Sequence, residues 1–172
     1  MKKKVFVDAS SAILLFKSEL FSRLTAAYRV WMTPVVYSEV TVSGHIGADY
    51  FSRVKSSGEF HVSAPGSWFP PGEDDDIPAL DPGEKETIAC YHHNRGDFLL
   101  IDDGKAARYC RRSGIPYINA LLLARILHLD GILSDNAYRG GFQTLCEIGW
   151  YSPEIVRIAQ QLPRDRLHRF KP

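Results

Sequence analysis

The chain has 172 residues, 45% of them hydrophobic and 24% charged, with a formal net charge of +1; that suits one domain with a sizeable core and excludes a broad polyanion-binding field. Three widely spaced cysteines argue against a disulfide framework, and no run approaches the ~20 apolar residues of a membrane span. Lys2–Lys4 resemble a signal-peptide start, but Asp8 interrupts the apolar run and no small-residue cleavage site follows. The expectation is a single cytoplasmic domain spanning 1–172.

In chain order, Lys4–Val7 predicts a short buried strand, and SSAILLFKSEL a helix starting behind Ser10 or Ser11. ELFSRLTAAY carries Leu20, Leu24 and Ala27 at i, i+4 and i+7, a helical stripe. RVWMT predicts a strand, and TPVVYSEV a helix over 34–42 with Thr33 as N-cap and Pro34 at its first position. ADYFSRVKSSG predicts a helix ending at Gly58, and FHVS an edge strand. Residues 64–82, rich in Pro, Gly and Asp, predict a long irregular connection. A helix over 83–93, a strand over 98–101, a helix over 104–113, the strand IPYI and a helix over 120–129 follow. Two more helices are expected over 136–148 and 153–162, before a basic tail at 163–172. Short strands alternating with helices mean βαβ units, so the predicted class is α/β with a mainly parallel sheet covered on both faces.

Working groups in such sheets collect beyond the carboxyl ends of the strands. Asp8 and the pair Asp102-Asp103 fall at two of these ends. Asp8 has an ordinary alternative as a helix N-cap. Glu39 lies on or beside the apolar stripe of its helix, where a charge costs free energy without a partner. Glu84 completes a capping box with Asp81, yet it also shares a stripe with Ile88 and Tyr91. Only one of Asp102 and Asp103 can cap the helix after them. Two carboxylates about 4 Å apart repel by roughly 4 kcal/mol at an effective dielectric of 20, and a cation is the usual way to hold them together. Lys105, Arg108 and Arg112 follow at i, i+3 and i+7, either as solvated surface or as a face that steers a phosphate backbone. Cys90 and His93 share a helix face but lack a second ligand pair with zinc-site spacing. The run Glu73–Asp76 reads as solvated loop charge.

Taken together, VFVDASSAI, TPVVYSEV, LDPGEKETIA and LLIDDGKAARYCRRSGIPYI resemble the PIN domain, the metal-dependent nuclease fold of VapC-type toxins. The closest likeness is to the subgroup with a GExxxI helix and a strand ending in DD, and FQTLCEIGWYSPEIV is similar to its closing helices. The resemblance implies a three-layer α/β/α sandwich. Its acids carry over to Asp8, Glu39, Glu84 and Asp103, with Asp102 beside the last and Glu86 as the alternative middle acid. Ser10 matches a small hydroxyl residue after the first aspartate. Asn119-Ala120 departs from the subgroup's usual Gly-Thr, and the 64–82 connection is longer and more acidic than usual.

The implied activity is Mg²⁺- or Mn²⁺-dependent cleavage of single-stranded RNA, with Lys105, Arg108 and Arg112 on backbone phosphates. An antitoxin partner and a homodimer come with the same resemblance. Divalent ions suit this chemistry because they activate water and neutralise phosphate charge, and Mg²⁺ needs only one or two direct carboxylates. Two other classes stay open on the residues alone. A receiver-like signalling domain also gathers acids at strand ends, but its acid pair follows the first strand. A catalytically inactive nucleic-acid-binding or interaction module would keep the fold and lose the metal.

Overall fold

The computed structural model describes residues 2–64 and 80–164. Most of the 64–82 connection, the Glu73–Asp76 run and nearly all of the basic tail therefore lie outside the described residues. Five strands form one all-parallel sheet: β1 (Lys4–Val7), β2 (Arg29–Met32), β3 (Phe60–Val62), β4 (Phe98–Leu100) and β5 (Tyr117–Ile118). Between and after them run α1 (Ala9–Lys17), α2 (Phe21–Ala27), α3 (Pro34–Val40), α4 (Ala48–Ser56), α5 (Pro82–His93), α6 (Gly104–Arg112), α7 (Ala120–Leu129), α8 (Asp135–Ile148) and α9 (Pro153–Gln161).

The predicted elements are present, and their starts follow from short polar side chains. Thr33 Oγ1 accepts the Val36 N–H at 3.3 Å and Asn119 Oδ1 accepts the Leu122 N–H at 2.8 Å, so α3 and α7 begin where these residues satisfy orphan donors. α1 departs from expectation, because it starts at Ala9 rather than behind Ser10 or Ser11. Asp8 is its N-cap and accepts the Ser11 N–H, which leaves both serines inside the first turn.

The pleat sends alternate residues to opposite faces and so divides the core. Val5, Val7, Val30, Met32, Phe98 and Leu100 face α1 to α4 and α7 to α9. Phe6 and Leu99 face α5 and α6, packing with Ile88, Cys90, Ala106 and Tyr109. The result is a three-layer α/β/α sandwich. Among the described residues no helix is long and apolar enough to cross a membrane.

The strand order β3-β2-β1-β4-β5 fixes the functional end. The chain winds outward from β1 through β2 to β3, then returns to the other side of β1 as β4 and winds out to β5. The direction reverses between β1 and β4, which leaves a crevice past their carboxyl ends. Asp8 and Asp102-Asp103 lie at those two ends.

The first layer depends on an aromatic cluster. Phe51 is fully buried, edge-on to Phe21 at a centroid distance of 5.1 Å and tilted against Phe16 at 5.7 Å. Phe51→Ala should cost about 3–5 kcal/mol of unfolding free energy. Urea denaturation followed by circular dichroism checks this, and a loss below about 1 kcal/mol would show that the cluster repacks around the gap.

Candidate active site

Asp8 occupies the centre of the crevice. Its backbone N–H donates to the Leu100 carbonyl at 3.1 Å, the last link between β1 and β4. Its side chain is almost fully buried, with Oδ1 accepting the Ser11 N–H at 2.7 Å. Oδ2 is buried and has no hydrogen-bond partner among the described residues. Burial, with the nearby charge of Asp102, pushes the carboxyl up to about 7. An orphaned carboxylate oxygen in a folded core is costly unless something outside the described chain meets it.

Asp102 and Asp103 resolve their crowding by turning apart. Asp103 caps α6, with Oδ1 accepting Lys105 N–H at 2.6 Å and Ala106 N–H at 3.1 Å. Asp102 turns inward to meet the Ser11 hydroxyl at 2.7 Å, the Ala120 N–H at 3.0 Å and the Tyr151 hydroxyl. The two carboxylates thus have separate sets of protein donors. Burial raises the Asp102 carboxyl, against the pull of its three donors. Burial also works against the charged form of Asp103, but its backbone bonds, Glu84 and Lys105 outweigh that and hold it low. Ser11 joins the two acid positions, donating its N–H to Asp8 and its hydroxyl to Asp102.

The remaining acids come from α3 and α5. Glu84 Oε2 accepts the Asp81 N–H at 2.9 Å, the expected capping-box contact, while the side chain stays buried. Burial, together with the Asp103 charge and hydrogen bond and despite the Asp81 N–H, raises its carboxyl to about 7. Glu39 is exposed, and its carboxylate lies against the first turn of α5. A Cβ on Gly83 would come within 3.0 Å of Glu39 Oε1, so glycine at that position permits the approach. Partial desolvation of the carboxylate against α5, then the charges of Asp81 and Glu86, raise the Glu39 carboxyl.

Asp8, Ser10, Glu39, Asp81 and Glu84 line one cavity of about 300 Å³. Glu86 does not line it. Its Oε2 accepts the Val35 N–H at 3.0 Å and so satisfies a donor in the first turn of α3. That geometry separates the two candidates for the middle acid. Asp102 and Asp103 line a larger adjoining groove, and Ser10 borders both. The acids thus fall in two depressions that share Ser10. Lys105, Arg108 and Arg112 are exposed along α6, with the Arg108 guanidinium reaching back toward Gly104.

Sequence reasoning passed over three residues here. Asp81 read only as a cap but also lines the acidic cavity. Ser11 and Tyr151 gave no signal, because their partner Asp102 lies 91 and 49 positions away.

A family model described as the PIN domain matches residues 4–162. The chain belongs to the PIN-domain family. A search of curated proteins finds no significant match. PIN domains are generally nucleases that use divalent metals, which gives the acidic crevice its broad chemical context. Among the described residues no three ligating side chains are already gathered into a metal-holding group. The donor set nevertheless fits a hard cation, because every candidate ligand is a carboxylate oxygen and Asp8 Oδ2 lacks a partner.

The sign of the pH dependence follows from the raised carboxyls. Asp8 and Glu84 bind protons more tightly in the folded than in the unfolded chain. Their contribution to stability is therefore full below the ordinary carboxylate range, falls as pH rises toward about 7, and is level above that. Without metal, the unfolding free energy of Asp8→Asn should fall less than that of wild type between about pH 5 and about pH 7.5. Parallel declines in urea titrations would contradict the raised carboxyl at Asp8.

Proposed function

We propose that the chain is a cytoplasmic, Mg²⁺- or Mn²⁺-dependent endoribonuclease that hydrolyses phosphodiester bonds of single-stranded RNA, as the toxin of a toxin–antitoxin pair. The observation that supports this most strongly is the buried, unpartnered Asp8 Oδ2 beside Glu39 and Glu84 at the sheet's reversal point. PIN-family membership supports the nuclease class, and the finer reading rests on the residues below.

In this reading Asp8, Glu84 and Asp103 hold the cation, and Glu39 completes the acidic wall. A divalent ion there supplies water activation and neutralises charge on the phosphate and leaving oxygen. Its field would favour the charged forms of Asp8 and Glu84, which burial opposes. Glu39 has the freest access to solvent of these acids and accepts the proton given up by the attacking water. Asp102, with three donors already on its carboxylate, positions Ser11 and through it Asp8. Glu86 steadies the start of α3, which carries Glu39. Lys105, Arg108 and Arg112 contact backbone phosphates without reading bases, and Ser10 borders the strand's path between the two depressions. An antitoxin protein and a second copy of the chain are the partners this role calls for.

The deciding experiment incubates purified protein with single-stranded RNA in millimolar Mg²⁺ or Mn²⁺. Wild type should cut, while Asp8→Asn should retain RNA binding and lose cleavage by at least about a hundredfold. Protein that cuts neither RNA nor DNA and binds neither metal would leave the inactive interaction module as the reading.

Metal binding has its own readout. Mn²⁺ should raise the melting temperature of wild type through preferential binding to the folded state, and raise that of Asp103→Asn less. Equal shifts in differential scanning fluorimetry would place the ion away from Asp103.

A further inference from the structure

The described surface concentrates its exposed apolar side chains beside the acids. A groove of about 840 Å³ opens next to Asp102 and Asp103. Three of the five large apolar side chains exposed among the described residues line it: Trp150, Ile155 and Ile158. Trp150 is the extreme case, with its indole entirely in solvent.

The backbone beneath that indole is held on both sides. Tyr151 donates its hydroxyl to Asp102, which ties the segment to the acid pair. Gly149 turns so tightly at the end of α8 that a Cβ there would meet the Leu145 carbonyl oxygen at 2.8 Å. The groove also reaches Gly104 at the start of α6, where Arg108 lies close by and Lys105 is exposed. Asn119 lines it as well, and since its Oδ1 is taken by the Leu122 N–H, its amide NH₂ is left to donate.

We infer that this groove is a nucleobase subsite, in which Trp150 stacks on an unpaired base of the strand whose phosphate lies at the acids. The inference rests on the nuclease reading above and names where its substrate is held. A nucleotide has a flat apolar base and a charged phosphate; the groove offers an apolar bed with an exposed aromatic for the first, and Arg108 lies close to its Gly104 end for the second. Every base offers a π-face, so such a platform tolerates sequence, while bases paired in a duplex cannot reach it. An amphipathic helix would also fill an aliphatic groove, but it gives no reason for Arg108 at the Gly104 end or for the acids Asp102 and Asp103 in the lining.

The test measures binding of a short fluorescent single-stranded RNA by anisotropy in millimolar Ca²⁺, alongside the same backbone made abasic. Trp150→Ala should weaken binding of the RNA by about five- to a hundredfold, and Trp150→Phe should recover most of it. The abasic strand should bind wild type and Trp150→Ala alike. Arg108→Ala should weaken both strands and flatten the salt dependence. Because Trp150 is solvent-exposed, its replacement leaves the core intact. Equal RNA binding by wild type and Trp150→Ala, with Arg108→Ala still impaired, would overturn the subsite and leave the nuclease reading standing. Absence of RNA binding by every variant would overturn both. Unchanged RNA binding with loss of a dimer in sedimentation would overturn the inference and assign the groove to a protein partner.

Discussion

Parallel pairing of β1 with β4 decides where negative charge accumulates in this molecule. The two strands lie side by side at the centre of the sheet, joined at their ends by the Asp8 N–H and the Leu100 carbonyl. Any acid placed directly after either strand is therefore brought close to an acid placed after the other. Helix starts do the rest, since Asp8 caps α1, Asp103 caps α6 and Glu84 joins the capping box that opens α5. Each acid has a local structural reason to be where it is, and the topology makes those local reasons converge.

Convergence has a cost that the chain meets unevenly. Asp102 receives three donors and Asp103 two backbone N–H groups, so the β4 pair is well satisfied by protein alone. Asp8 and Glu84 are met less completely, and both are driven toward the protonated form. A cation beside them would stabilise the very ionisations that burial opposes, which is why the metal site is proposed at these two acids. Groups that are incompletely satisfied in a folded protein often mark function rather than packing.

Local pattern made much of this legible. The strand runs, the Thr33-Pro34 start of α3 and the Asp81–Glu84 capping box are nearest-neighbour features, and they are read directly from residue order. The acids at strand ends were legible for the same reason. What sequence did not show was how those acids divide. Asp102 and Asp103 are adjacent in the chain, yet their side chains diverge because one has α6 donors in reach and the other has Ser11, Ala120 and Tyr151, all distant in sequence. Glu84 and Glu86 differ by two residues, about 200° around a helix, so one faces the cavity and the other the start of α3. Gly83 shows its purpose only once Glu39 is seen lying over it.

The divalent-metal site is proposed at Asp8, Glu84 and Asp103, with Glu39 on its wall. Anomalous diffraction from crystals grown with Mn²⁺ tests it most directly. A manganese peak should appear bounded by the carboxylates of Asp8 and Glu84, with Asp103 within reach of it. Crystals soaked to saturation that show no manganese in this crevice, or show it only elsewhere on the surface, would rule out a metal site at these acids.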